Sequence, residues 1–136
     1  MSEYTKPLPD ITDPLSAPFW AGTREGKLLV QKCDVCGYLR WPPGPVCNEC
    51  QTPGGTWTEV QPTGTLYSYA EYHRALHPAF KDDLPYFVGL IELDEGPRMY
   101  GTVLGDVKTE DIGRKARAVF DPVTQDVTLV RWELES

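Results

Sequence analysis

All four cysteines of this 136-residue chain lie between positions 33 and 50, in two matched C-x2-C pairs separated by ten residues. Two thiolates three positions apart share one tight turn, here called a knuckle, and two knuckles supply the tetrahedron of four ligands that Zn²⁺ prefers. Gly37 follows the first pair, where a knuckle often turns through positive φ, and three prolines stiffen the connecting segment YLRWPPGPV. The spacing predicts a zinc ribbon with one ion bound by Cys33, Cys36, Cys47 and Cys50.

Three other uses of four cysteines compete with this prediction. Disulfides suit an oxidising compartment, whereas the start MSEYTKPLPDITDP lacks the basic and apolar regions of a signal peptide, so we expect a cytoplasmic location. A redox C-x2-C pair usually stands alone beside a βαβ unit, and an iron–sulfur cluster suits two evenly matched pairs less well. Four thiolates leave zinc no open position for water or substrate, so we expect the ion to be structural.

The charge of the chain bears on its partners. Lysine and arginine number 13 against 20 aspartate and glutamate, which gives a net charge of −7. A protein that binds nucleic acid is normally basic, because it replaces the counterions around phosphates. No apolar run approaches the roughly 20 residues that a membrane-spanning helix needs. We therefore expect neither nucleic acid nor a membrane among the partners.

Sequence patterns divide the chain into an arm, a ribbon unit and a barrel. Residues 1–13 are Pro-rich and polar, and we expect a flexible arm there. Residues 14–61 hold the ribbon, preceded by a short helix over 18–24 that is entered through Ser16 and ended by Gly26. KLLVQK leads into the first knuckle as a strand, and TWTEV leads out of the second.

The third unit, residues 62–136, is predicted to be a small barrel. Short strands with turn signals between them, and no intervening helix, suit a five-stranded OB-type barrel. The predicted fold class is therefore mainly β, with a short N-terminal helix, a zinc ribbon and an OB-type barrel. The predicted barrel strands cover 65–73, 86–93, 98–104, 115–121 and 127–134.

Two pairs of residues are candidates for contact with a partner. Phe19 and Trp20 form an apolar patch on the predicted helix, which either packs within the chain or docks onto another chain. His73 and His77 are four positions apart, but Pro78 follows at once and no spacing selects a third ligand. We therefore expect loop or interface histidines. A free-standing metalloenzyme built on this pair remains an alternative hypothesis.

Catalytic motifs are missing from the sequence. The cysteines are assigned to zinc, none of the four serines lies in a G-x-S-x-G elbow, and there is no Gly-rich phosphate loop. We therefore assign no catalytic residue to the chain. Tyr67 and Tyr69 alternate along one predicted strand, and OB barrels stack bases on such aromatics, so a single-stranded nucleic-acid binder is the alternative function.

The order of these motifs resembles a known family. PFWAG and GKLLVQKCDVCG are followed by PPGPVCNEC, and then by GTLYSYAEYH, LPYFVGLIELDEGPRMYGTVLG and DIGRKARAVFD. From residue 18 to residue 134, this order is similar to the acyl-CoA-associated zinc-ribbon/OB-fold family, formerly a domain of unknown function. In that family, N-terminal helices precede a rubredoxin-like ribbon and an OB barrel.

The resemblance implies a function that the residues alone do not reveal. Members of the family accompany thiolase-like or lipid-transfer-type enzymes, among them an aldolase of bacterial steroid side-chain degradation. By resemblance, this chain is expected to be a non-catalytic subunit that stabilises such a partner and shapes a shared acyl-CoA site. The narrower expectation is a partner that cleaves a β-hydroxyacyl-CoA by a retro-aldol reaction. Candidate contacts for the CoA phosphates, none selected by spacing, are Arg24, Lys27, Arg40 and Arg74.

Overall fold

The computed structural model describes residues 4–135. Residues 1–3 of the predicted arm (1–13) and residue 136 of the predicted barrel (62–136) lie outside the described residues. Within residues 4–135, the chain forms one short helix, a three-stranded sheet and a closed five-stranded barrel, in that order. The mainly β fold predicted from the sequence is therefore confirmed.

The helix α1 (Ala17–Arg24) begins one residue before its predicted start, with Ser16 as the N-cap. It ends at Arg24, and the predicted glycine closes it: Gly26 adopts a φ of 73°, and its N–H donates to the carbonyl of Thr23 at 3.0 Å. No helix in residues 4–135 is long and apolar enough to cross a membrane.

Close packing fixes α1 against both the ribbon and the barrel. A Cβ placed on Gly22 would lie 2.8 Å from the side chain of Leu29, so the absence of a side chain lets the helix approach the sheet. On the barrel side, the buried hydroxyl of Thr23 donates to the carbonyl of Thr128 at 2.9 Å.

The ribbon is a sheet in the order β2-β1-β3, all antiparallel, made of β1 (Leu28–Lys32), β2 (Leu39–Arg40) and β3 (Thr56–Val60). The first knuckle connects β1 to β2, and the second lies between β2 and β3. The two longer strands are those predicted from the sequence. Strand β2 is only two residues long and carries no periodic signal of its own.

The barrel closes in the order β4-β5-β6-β8-β7. Alternation of apolar and polar residues explains the strands, most clearly in β5, where every second side chain is buried. The five predicted strands are found, with end shifts of at most two residues. They are β4 (Thr63–Tyr72), β5 (Tyr86–Leu93), β6 (Arg98–Val103), β7 (Lys115–Pro122) and β8 (Thr128–Leu134).

Ribbon and barrel share one hydrophobic core. Leu28, Val30 and Val60 of the ribbon belong to the same buried cluster as Leu66 and Trp132 of the barrel. The boundary predicted at residues 61 and 62 falls between β3 and β4. The division of the chain into these domains stays a prediction.

Candidate metal centre and partner surface

The two knuckles bring the four cysteines together, as predicted. Their Sγ atoms all lie within 4.8 Å of one another. The closest pairs are Cys33 with Cys50 at 3.5 Å and Cys36 with Cys47 at 3.6 Å, and all four are free thiols. Zinc with Zn–S bonds of about 2.3 Å holds tetrahedral sulfurs about 3.8 Å apart, so the spacing fits one ion bound by four sulfurs.

Backbone geometry aims the sulfurs inward. In the first knuckle, Gly37 adopts a φ of 78° and its N–H donates to the carbonyl of Cys33 at 3.0 Å. In the second, Gln51 takes the corresponding place with a φ of 63° and donates to the carbonyl of Cys47 at 2.9 Å. The backbone N–H of Glu49 also donates to the sulfur of Cys47 at 3.4 Å. Hydrogen bonds of this kind stabilise the charged form of a thiol.

The thiols do not all ionise without a cation. The backbone N–H of Cys36 lowers the pKa of Cys33, and that of Cys50 lowers the pKa of Cys47. Although the backbone N–H of Tyr38 acts to lower it, desolvation and the neighbouring sulfurs raise the pKa of Cys36 to about 12. Deprotonation of all four thiols therefore needs the charge of a bound cation, and the metal affinity of the group rises with pH.

The helix patch packs largely within the chain. Phe19 is 3% exposed, and its ring lies 4.4 Å from that of Trp41 in the ribbon. Trp20 packs edge-on against Phe19 at 4.9 Å and is half-buried. A partner contact by this pair stays a prediction. Because Phe19 is buried, only Trp20 of the two could make such a contact.

The two histidines have separate hydrogen-bond partners. His73 Nε2 lies 2.9 Å from the carboxylate of Glu71, whereas His77 Nδ1 accepts the N–H of Ala79 at the start of a 3-10 turn, Pro78–Asp83. Among the described residues, the four cysteines form the one group with metal-ligand spacing. The geometry therefore does not favour the alternative of a second metal on these histidines. A role for them at an interface stays a prediction.

The structure excludes one candidate phosphate contact and does not form one face that the sequence pattern suggested. Arg40 cannot contact the phosphates of CoA, because its side chain is buried inside the ribbon at 2% exposure. Tyr67 and Tyr69 do not form one stacking face, because a β-bulge between Leu66 and Ser68 breaks the alternation. Tyr67 is 48% exposed, whereas Tyr69 is half-buried against the core.

The outer side of the barrel carries an apolar surface, here called the tyrosine face. Tyr100 is 74% exposed at its centre. Grooves of about 430 Å³ and 240 Å³ meet there, one beside β4 and β5 and the other beside Trp20 of the helix. At the far end, two tyrosine rings stack 4.9 Å apart. The tyrosine face consists of Tyr72, Tyr86, Val88, Leu90 and Tyr100.

Three cations beside the tyrosine face are paired with carboxylates. Lys6 lies 3.0 Å from Asp83, and Arg98 lies 3.0 Å from Glu92. Arg131, in the groove beside the helix, likewise pairs with a carboxylate at 2.6 Å. OB barrels commonly bind ligands on this side, at their second and third strands. Here Tyr100 and the grooves offer apolar contact, and these three cations are already engaged.

Sequence models of two domains match the chain. Residues 20–54 match the rubredoxin-like zinc ribbon domain of ChsH2, and residues 57–121 match its C-terminal OB-fold domain. A DUF35 domain-containing scaffold protein of Methanocaldococcus jannaschii is 30% identical over 121 residues, which cover 85% of this chain and 84% of that protein. Both domain models are those of ChsH2, so this chain has the same order of ribbon and barrel domains. The ribbon match and the four converging cysteines indicate one structural zinc in this chain.

Longer relatives and a solved complex also match. A 3-oxo-4,17-pregnadiene-20-carboxyl-CoA hydratase alpha subunit of Mycobacterium tuberculosis is 30% identical over 119 residues, 87% of this chain. The chain spans 27% and 37% of the length of the two hydratase alpha subunits that it matches. A chain of the Ltp2-ChsH2(DUF35) aldolase structure superimposes with a TM-score of 0.80 at 30% identity, covering 93% of this chain and 98% of that chain.

Proposed function

The chain belongs to the DUF35 family, which includes ChsH2, and from this membership we propose that it is a non-catalytic accessory subunit of a thiolase-like acyl-CoA enzyme. The observation that carries the proposal is the closed metal site. Four sulfurs occupy every position of a tetrahedral zinc ion, which leaves no site for water or substrate. In the described part of the chain, no other cluster combines a nucleophile with a general base, so the partner supplies the chemistry.

The tyrosine face is the surface that we assign to this partner. Tyrosine is enriched at the centre of protein interfaces. A stable complex buries roughly 800 Å² per side, so a partner would cover both grooves and the surface around them. Arg98 pairs with Glu92, and Lys6 pairs with Asp83. An apolar partner surface would therefore leave these four charges compensated. Half-buried Trp20 borders the same surface.

A narrower proposal concerns the reaction. Relatives are named as acyl-CoA hydratase subunits and as part of an aldolase, so the shared substrate class is an acyl-CoA. We assign to the partner retro-aldol cleavage of a β-hydroxyacyl-CoA from steroid side-chain breakdown, with this chain shaping the acyl-CoA entrance in the cytoplasm. The acidic balance, −7, and the paired cations argue against the alternative of single-stranded nucleic acid.

The proposal is tested by purification and reconstitution. A tagged chain is captured from its host, bound proteins are identified by mass spectrometry, and the partner is then purified and recombined with it. We expect a stable heteromer with a thiolase-like protein that cleaves β-hydroxyacyl-CoA, and no turnover by the isolated chain. A chain that stays monomeric beside that partner, or that turns over a thioester unaided, contradicts the proposal.

The contact surface is tested by Tyr100→Glu. The side chain is 74% exposed, so the substitution leaves the core intact while placing a charge at the centre of the tyrosine face. We expect affinity for the reconstituted partner to fall by at least about tenfold, as at interface hot spots. The matched control is Ile112→Glu, which changes a 45% exposed side chain outside these grooves. Equal loss of affinity in both variants would contradict this assignment.

A further inference from the structure

One buried guanidinium lies between the two zinc knuckles. Arg40, on β2, is 2% exposed, although arginine is always charged and is almost never buried without a partner. Its Nε donates to the side-chain oxygen of Gln31 at 2.8 Å. Within residues 4–135, none of the ion pairs involves Arg40. The acceptors that hold this cation are therefore neutral.

The remaining donors of Arg40 bracket the second knuckle. Its Nη2 donates to the carbonyl of Gly44 at 2.9 Å and to the carbonyl of Gly54 at 2.6 Å. Gly44 precedes Cys47, and Gly54 follows Cys50. A single side chain thus holds the loop that enters the second knuckle and the loop that leaves it.

Gln31 ties the same network to the first knuckle. It lies on β1, two residues before Cys33, and is the cross-strand neighbour of Arg40. Its side-chain oxygen accepts from Arg40 and also from the N–H of Gly44 at 2.8 Å. Because both β1 and β2 border the first knuckle, the Gln31–Arg40 pair joins the bases of the two knuckles.

The cradle around the guanidinium leaves no room for adjustment. A Cβ on Gly55 would lie 3.0 Å from the carbonyl oxygen of Lys32 and 3.3 Å from Nη2 of Arg40. The buried Nη1 has no hydrogen-bond partner among the described residues. Lysine cannot reproduce this arrangement, because it lacks the planar fork that reaches three acceptors at once.

We propose that Arg40 is a positioning residue for the zinc site. By holding both ends of the second knuckle against the strands of the first, it keeps the four sulfurs at ligand spacing. The zinc tetrathiolate carries net negative charge, which offsets the cation that Arg40 places among neutral acceptors. Zinc affinity therefore depends on a side chain that does not touch the ion.

The test measures zinc affinity rather than activity. Competition with a chromophoric chelator gives the affinity of Arg40→Lys, which keeps the charge and loses the fork, and of Gln31→Ala, which leaves Arg40 in place. Substituting a residue that supports a metal site from outside the coordination sphere typically weakens metal affinity by about 10- to 100-fold. We expect a loss of that size in Arg40→Lys, and a weaker zinc affinity in Gln31→Ala as well. In the Co²⁺-substituted protein, both variants should weaken the visible absorption of a tetrahedral thiolate site.

A stability-matched control separates positioning from general destabilisation. Val103→Ala removes buried volume from the barrel, at 2% exposure, and should lower the melting temperature while leaving zinc affinity within about twofold. If Arg40→Lys does not fold, Gln31→Ala decides the question. Zinc affinity within about twofold of the unmodified protein for the folded variants, with an unchanged Co²⁺ spectrum, would overturn the proposal.

Discussion

Between residues 41 and 59 of the ribbon, Cys47 is the one buried side chain, whereas in the barrel strand β5 every second side chain is buried. The barrel closes on itself around Trp132, which is fully buried, and its strands need no ion to define their pairing. The ribbon lacks such a core at its outer end. The two halves of the chain therefore share one core but are stabilised by different interactions.

Within the ribbon, apolar burial is replaced by polar contacts and metal binding with increasing distance from the barrel. Near the barrel, Leu28 and Val30 of β1 are fully buried, and the ring of Phe19 packs on Trp41. Farther out, polar contacts of Arg40 and the cysteines take over. Structural zinc contributes on the order of 10 kcal/mol to folding in small ribbons, which is enough to order a segment with so little apolar burial.

The largest effect that distinguishes the two halves is expected from Cys47→Ser. Removing one thiolate from a 1% exposed position should abolish stoichiometric zinc and unfold the knuckles, at a cost on the order of 10 kcal/mol of binding free energy. Elemental analysis measures the zinc, and amide NMR spectra report which residues lose their folded shifts. We expect the losses to concentrate in residues 33–55.

Chelation of the unmodified protein is the control for this variant. It should reproduce the same spectrum and reverse when zinc is restored, because no side chain has changed. Full metal content in Cys47→Ser would show that three ligands suffice. Complete loss of barrel signals would show instead that the two halves depend on the same ion.

A smaller effect, in the opposite half, is expected from Trp132→Ala. Truncating this fully buried ring in the barrel should cost about 3–5 kcal/mol of unfolding free energy, from lost burial and the cavity left behind. Under folding conditions the variant should still hold one zinc. Trp132→Phe keeps most of the volume and should cost less. Denaturant unfolding gives the free energies. Loss of zinc from a folded Trp132→Ala variant would contradict the view that the zinc site does not depend on the barrel core.

Much of the fold follows from local signals in the sequence. Cysteine spacing located the zinc ligands, because a tetrahedral ion restricts which thiols can meet. Alternation located the barrel strands, with small errors at their ends, because one buried face per strand leaves a period of two. The helix ended at Gly26 as expected, since a positive φ there favours glycine.

The features that the sequence did not reveal depend on tertiary contacts. Nothing in the segment around Arg40 signals that its guanidinium is buried, because its acceptors come from β1 and from loops on both sides of the second knuckle. The bulge at Tyr67 depends on the register between β4 and β5, which no local pattern specifies. The burial of Phe19 likewise depends on where α1 settles against Trp41.

Zinc K-edge X-ray absorption on the purified protein tests the central claim most directly. A closed structural site predicts four sulfur scatterers at about 2.3 Å and no oxygen or nitrogen in the coordination sphere. A fit that required a light-atom ligand in place of one sulfur would reveal an open position. That result would contradict the assignment of the ion to structure and of the chemistry to a partner subunit.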